Sequence, residues 1–387
     1  MKLLSSVLLL TLLFPSRATW GQTSCEAQRR LQTEIGERYE LGMTISPILR
    51  TFSLPHPGAR YIRALLNLKY NPKCDWAVIL RDNQYRVMEI YSADTFLSGD
   101  KWSHRISGDQ ISFQLSPCGS GALPTIVVES YIEMPAAGKN PYYSVQDPNL
   151  PAYKDLYSSD FTSVPEGVRQ LGDNAAFLMS SYGNTSWVCS GVMLQPGLLL
   201  TNWHCGGTSA LKSTDYWNSQ VVKDLLLDVS WDGDTVSREY TGVKLLAGSE
   251  ELDYALIQVS PADPSDTVLR LKITTQQVQV GQAIYIVHHP VGLVKQLSNC
   301  EVESTVNPTT NYAKNSEFTY KCDTEKGSSG APVFTAKGEL IGLHHLGFDQ
   351  NKDCATLDKE NKGVKVTAIL ADLAERYPQV YEMLASK

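Results

Sequence analysis

A hydroxyl, an imidazole and a carboxylate in relay make a nucleophile strong enough to attack an acyl carbon. The chain holds one of each in a setting that suits the part. His204 closes "WVCSGVMLQPGLLLTNWHCGG", residues 187–207, where two apolar runs flank a Gln195-Pro196-Gly197 turn. That pattern describes a hairpin delivering an imidazole to its rim. Cys189 and Cys205 bracket the hairpin, and a bond between them would pin the backbone that aims the ring. Asp253 stands at the entry to the apolar run of "LDYALIQV", residues 252–259. A carboxylate at the edge of a core can fix a histidine's tautomer and stabilise its protonated form. Asp228, Asp232 and Asp234 compete for that role, but "LDVSWDGDT" reads as a polar, turn-like stretch. Ser329 lies in "EKGSSGAPVF", residues 325–334. Gly327 permits a tight turn there, and its N–H can converge with that of Ser329 on a developing oxyanion. Gly330 and Ala331 allow close packing, and Pro332 ends the turn before a strand. A lone histidine is usually structural, an aspartate before a strand is commonly a cap, and a single G-x-S-G is weak. The three in the order His, Asp, Ser, each in its own kind of turn, point to nucleophilic catalysis.

Such groups need a scaffold, and 387 residues allow two domains with ample buried core. Residues 2–14, "KLLSSVLLLTLLF", are too short to span a bilayer, and small residues follow them, so residues 1–21 read as a cleaved secretory signal. Its loss removes Lys2 and Arg17 and no acid, leaving 32 basic against 41 acidic residues and a charge of about -9 in place of -7. That balance argues against nucleic acid or an anionic membrane as the main partner. Residues 22–137 carry the short runs "YIRALLNL", "DWAVIL", "YRVMEIY", "ISFQL" and "TIVVESYI" between turn signals. Spacing of this kind predicts an antiparallel β-sandwich, an accessory or pro-domain. Residues 138–174, with Pro141, Pro148, Pro151 and Pro165, have linker composition, and residues 175–387 form a second strand-rich domain. "VTAILADLAERY" near its end has helical spacing with Thr367 available as a cap. Eight cysteines in an exported chain favour disulfides, although they permit 105 pairings. Cys74 and Cys118 fall in the sandwich block and are expected to pair there. Asn184-Thr185-Ser186 is a glycosylation sequon in a eukaryotic source.

Residues from about 175 to 380 resemble the chymotrypsin-like serine peptidases, and more closely the bacterial branch with the lysyl and glutamyl endopeptidases. "LLLTNWHC", "DYALIQV" and "GSSGAPVF" are similar to that family's three catalytic blocks, and "IVHHPVGLVKQLS" to a lysyl endopeptidase segment. The resemblance implies two six-stranded β-barrels with the site in the cleft between them, His204 as base, Asp253 as its orienter and Ser329 as nucleophile. Digestive members carry an aspartate where this chain has Ser328, and there it pairs with a new N-terminus. The bacterial branch lacks that aspartate, so Ser328 implies an oxyanion hole formed without trypsin-style activation. By spacing, Asp323 matches the acid that binds Lys or Arg in trypsin, and Glu360 falls where lysyl endopeptidases keep a pocket acid. Thr324 and His344 match instead the pair with which glutamyl endopeptidases hold an acidic side chain. His345 and the pair His288-His289 read as hydrogen-bonding loop residues. Cys300 and Cys322 flank one segment and are expected to close it, which leaves Cys25 and Cys354. Lysyl endopeptidases bond an N-terminal cysteine near the C-terminus in the same way, although here a whole domain intervenes.

The expectation is an all-β, secreted (or periplasmic) serine endopeptidase acting through an acyl-enzyme. It would act on proteins or peptides without metal or organic cofactor, and cleave after Lys or Arg. The alternatives are cleavage after Glu or Asp, or a catalytically silent binding protein on a peptidase scaffold.

Overall fold

The computed structural model describes residues 34–45, 51–96, 100–119, 121–135, 154–155, 164–183, 185–208, 211–232, 238–261, 265, 268–306, 315–347 and 360–385. The expected signal segment, Cys25, Asn184, Asp234 and Cys354 lie outside these residues.

Leucine- and valine-rich runs bounded by glycine turns make the strands of a first barrel. Its order is Ala175–Tyr182, Leu226–Asp228, Glu239–Ser249, Tyr254–Pro261, Leu198–Thr201 and Thr185–Gln195, the last pairing back onto the first. Leu178, Trp187, Met193, Leu199, Tyr240 and Ile257 fill its interior. A second barrel runs Gln296–Ser304, Ala283–His288, Pro332–Thr335, Leu340–Leu346, Asn361–Lys365 and Glu317–Tyr320, and closes on Gln296–Ser304. Ile284, Ile286, Phe318, Tyr320 and Val333 pack inside it. Leu200 and Leu256 of the first barrel meet Leu297, Phe334 and Leu343 of the second in a shared core. Each such side chain contributes about 1.5–3 kcal/mol when removed from water. The result is a chymotrypsin-like double β-barrel with a C-terminal helix.

That helix, Val366–Arg376, seats Ile369 and Leu373 in the shared core. Lys365 occupies its N-cap position and no side chain caps it, so Thr367 is not the cap expected. The reason is continuity: the strand Asn361–Lys365 runs straight into the helix, which leaves Thr367 inside the first turn. A second helix, Pro378–Ala385, follows, with proline at its start, where a missing N–H costs nothing. No helix among the described residues is long and apolar enough to cross a membrane.

The N-terminal region forms two facing sheets. Thr51–Pro55, Gln110–Ser116, Ala77–Arg81 and Val87–Tyr91 make one. Thr125–Pro135 and Ala59–Tyr70, with the short Lys101–Trp102 and Ile106–Ser107, belong to the other. Ile62, Leu66, Val78, Leu80, Phe113, Ile126 and Val128 form the core between them, and Cys74 is bonded to Cys118. The strand Glu34–Thr44 pairs with Thr125–Pro135 on one side and with Thr185–Gln195 of the first barrel on the other, making one eleven-stranded sheet. In the stretch with linker composition, Lys154–Asp155 pairs with Leu297 and Gln296, and Glu166–Gly172 is a helix.

Candidate active site

The site lies where the barrels meet. His204 lies three residues beyond the end of the strand Leu198–Thr201, and its backbone is anchored from two sides. Cys205 is bonded to Cys189, and its carbonyl accepts the indole N–H of Trp187 at 2.8 Å. Asp253 precedes the strand Tyr254–Pro261 with a left-handed backbone, φ 49°, a region aspartate tolerates better than most residues. Its carboxylate accepts the His204 backbone N–H at 3.0 Å through Oδ1, and Oδ2 stands 2.7 Å from the ring Nδ1. The Asn202 amide donates to the Asp253 carbonyl at 2.8 Å, closing the turn. Both side chains are buried. Burial alone would raise the Asp253 carboxyl. The charge and hydrogen bond of His204, and then His345, outweigh it and hold the group well below the usual carboxylate range.

The second barrel carries Ser329, in the turn before the strand Pro332–Thr335. The Ser329 carbonyl accepts the Ser190 N–H at 2.7 Å and lies 3.7 Å from the sulfur of Cys205, the residue after His204. Gly330, φ 86°, sits so close that any Cβ would run into Ser190 O and Thr201 Oγ1, so only glycine seats Ser329 there. Backbone donors in the turn divide cleanly. Ser328 N–H goes to Glu325 O, Gly330 N–H to His344 O and Ala331 N–H to Ser328 O. Neither the Gly327 nor the Ser329 N–H donates to a backbone carbonyl among the described residues. Gly327, φ 94°, is fixed by its own carbonyl, which accepts the Ser190 hydroxyl at 2.9 Å, while the His289 N–H donates to that hydroxyl at 2.9 Å.

Where the digestive enzymes keep an aspartate, Ser328 enters a neutral chain. Glu325 N–H donates to its hydroxyl at 3.1 Å, and that hydroxyl lies 2.7 Å from His288 Nδ1. His288 Nε2 lies 3.2 Å from the Ser298 hydroxyl, which donates to the Asp323 carbonyl. Every polar atom along that line is matched with His288 uncharged. Burial, reinforced by neighbouring His289, pushes its ring down to about 3.

His345 was expected to be a loop residue. It is instead the penultimate residue of the strand Leu340–Leu346, with Nδ1 3.3 Å from Asp253 Oδ2 and Nε2 2.9 Å from Glu317 Oε1. Burial alone would lower this ring, but the two flanking carboxylates outweigh that and raise it. A sequence signal existed: adjacent residues on a strand face opposite ways, so of His344-His345 one must look away from the pocket. His344 lies 2.7 Å from the Tyr320 hydroxyl through Nδ1 and is pushed well down by burial, with His288, His345 and His204 adding to the effect. Asp323 and Thr324 are buried, and Glu360 is half-buried just before the strand Asn361–Lys365. Asp228, expected in a polar turn, is instead a strand residue buried against Arg105. Cys300 is bonded to Cys322. The three disulfides among the described residues suit an extracellular or periplasmic protein.

Residues 189–343, which contain His204, Asp253 and Ser329, match the family model of the trypsin-like peptidase domain. The chain carries a trypsin-like peptidase domain. Three curated proteins share its sequence more distantly. Uncharacterized protein y4fB of Sinorhizobium fredii (strain NBRC 101917 / NGR234) is 25% identical over 241 residues, 50% of this chain and 34% of that one. Secreted RxLR effector protein 73 of Plasmopara viticola is 25% identical over 170 residues, 42% of each chain. A glutamyl endopeptidase of Staphylococcus aureus (strain MRSA252) is 25% identical over 181 residues, 46% of this chain and 47% of its own. The chain thus spans about a third to a half of the length of these relatives. Among solved structures, Rv3671c from M. tuberculosis H37Rv in an inactive form is similar at TM-score 0.40 and 13% identity, covering 58% of this chain and 96% of that one. A second structure of the Rv3671c protease, also inactive, gives 0.39 and 16%, covering 56% and 96%. Within the trypsin-like peptidase domain, the contacts of Ser190 and Glu317 are the features that no sequence motif marked.

Proposed function

We propose that the protein is a secreted serine endopeptidase that cleaves peptide bonds through an acyl-enzyme on Ser329. His204 takes the hydroxyl proton and returns it to the leaving amine, while Asp253 fixes the ring with its Nδ1–H inward. The N–H groups of Gly327 and Ser329 receive the oxyanion, a contribution of about 3 kcal/mol for each good donor. The observation that carries this reading is the 2.7 Å His204–Asp253 pair beside a turn whose Gly327 and Ser329 N–H groups have no backbone acceptor among the described residues. Ser329→Ala should lower casein hydrolysis by about 10⁴-fold or more and leave the urea midpoint of unfolding unchanged. Hydrolysis at the parental rate would remove Ser329 from the mechanism.

Asp323 and Glu360 support cleavage after Lys or Arg. A specific pair of observations favours the opposite charge. The Thr324 hydroxyl is buried with no hydrogen-bond partner among the described residues. Tyr320 donates to the Lys362 carbonyl at 3.2 Å and can accept from His344 Nδ1, which leaves Nε2 as the ring's free end. A carboxylate seated there would gain both groups and supply the counter-charge that buried His344 lacks. A cleavage profile on a mixed peptide library decides. Cuts after Glu that disappear in His344→Gln establish the acidic pocket, and cuts after Lys or Arg that survive it establish the basic one.

A further inference from the structure

We propose that the N-terminal sandwich is a permanent part of the peptidase, and that its Arg60 and Met134 hold the oxyanion turn in shape through the segment His289–Gly292. The second half of this statement rests on the reading of Gly327 as an oxyanion donor. The first half does not.

The two bodies share structure that a removable segment would not leave intact. The strand Glu34–Thr44 is sandwiched between a sandwich strand and a barrel strand, with Glu34 opposite Trp187 and Glu37 opposite Thr185. Tyr61, Trp102, Ile132 and Met134 form a single buried cluster with Phe177, Met179, Val188, Leu226 and Trp231 of the barrel. Three buried carboxylates of the first barrel take partners from the sandwich. Arg105 donates to Asp228 at 2.7 Å through Nε, and its backbone N–H donates to Glu239 at 3.2 Å. The Trp102 indole donates to Asp224 at 3.0 Å, and Arg38 reaches the same carboxylate at 3.3 Å. Arg63, 1% exposed, donates to the Asp224 carbonyl at 3.2 Å. Removal of the sandwich would strip these partners and open Phe177, Val188 and Trp231 to water together.

One part of this interface reaches the catalytic turn. The Gly292 carbonyl accepts Arg60 Nη1 at 3.3 Å from the sandwich and Trp231 Nε1 at 3.1 Å from the barrel. Arg60 and Arg105 both lie over the Trp231 ring, with Cζ 5.0 and 3.8 Å from its centroid. Gly292 is packed against Met134, so that an added Cβ would stand 3.3 Å from the Met134 methyl. Val291, next to it, has φ 46°, a conformation that a β-branched residue holds only when its surroundings impose it. That strained residue donates its N–H to the Lys326 carbonyl at 2.6 Å. In a trans peptide the C=O and the following N–H point opposite ways. Tying Lys326 O to Val291 therefore turns the Gly327 N–H to the other side, away from Val291. The sandwich thus does through Arg60, Met134 and Val291 what a buried N-terminal ion pair does in enzymes with aspartate at the Ser328 position.

Two measurements test this. Intact mass and N-terminal sequencing of the secreted, active protein should give a chain that retains residues 34–135. An active species beginning after residue 155 would overturn the proposal, whatever the site turns out to do. Arg60→Ala and Met134→Ala should each lower kcat about 10-fold or more with KM within twofold, and weaken a peptidyl boronate by the same factor, with Arg60→Lys recovering part of the loss. A purely packing role would shift the melting temperature and leave kcat and boronate affinity unchanged, and that result in folded variants would overturn it. A wild-type protein without hydrolytic activity would instead refute the reading of the site, while the mass measurement would still judge whether the sandwich is retained.

Discussion

Asp253 faces two imidazoles, and this sets its charge balance apart from a simple three-residue relay. His204 is held at 2.7 Å and His345 at 3.3 Å, with Glu317 behind His345 at 2.9 Å. The His345 ring, which the two carboxylates favour in its charged form, competes with His204 for the charge of Asp253. Replacing both partners, His345→Ser with Glu317→Gln, leaves Asp253 facing His204 alone without stranding a buried carboxylate. The acid limb of kcat/KM should then move to higher pH. A limb that stays in place or moves down would mean that His345 does not act on the relay through charge. The turns that hold His204, Asp253 and Ser329 were legible in the sequence because glycine, proline or a strand entry announces each. His345 was not, because its role depends on which strand faces which, and "LIGLHHL" carries that only as an alternation.

At the scale of elements, the end of the strand Ala283–His288 and the turn after it carry two buried rings that resist protonation. Burial, then the charge of His289, lowers His288 to about 3, and burial, then the charge of Lys295, lowers His289 to about 3. Between about 3 and the ordinary value of 6.5, the unfolded chain binds protons that these rings in the folded protein refuse. Stability must therefore fall as pH drops through that window, by up to about 1.4 kcal/mol per pH unit for each ring, or about 2 kcal/mol each at pH 5. His345 works the other way, its contribution complete below 6.5 and lost as pH climbs through its raised value. Urea midpoints at pH 7, 6 and 5 should decline steeply for the parent and less steeply for His288→Asn. Equal slopes would contradict the neutral Ser328–His288–Ser298 chain. Element boundaries were read well where apolar runs meet glycine, as in the hairpin around Gly197. They were missed at Glu34–Thr44, whose "EIGERYELGMT" has few apolar positions to alternate, because both of its edges are satisfied by neighbouring strands. Thr367 misled for a related reason: cap chemistry was right for a helix entered from a loop, and this one is entered from a strand.

At the scale of the molecule, sandwich and barrels were separately foreseeable from strand spacing and motif order, but their fusion was not. Arg105 and Asp228 are 123 residues apart in sequence, and nothing local marks either as the other's partner. Arg105→Met should destabilise the protein by about 3–5 kcal/mol, because Asp228 stays buried without its cation, and Arg105→Met with Asp228→Asn, which keeps an acceptor for the Ser230 N–H and hydroxyl, should recover part of that loss. A double variant as unstable as the single one would place the cost elsewhere in the interface. The central claim, that Ser329 is an activated nucleophile, is tested most directly by exposing the full-length protein to a fluorophosphonate and mapping the adduct by peptide mass spectrometry. The account predicts one phosphonylated residue, Ser329, with labelling abolished in His204→Ala. No adduct, or an adduct on another residue that persists in Ser329→Ala, would contradict it.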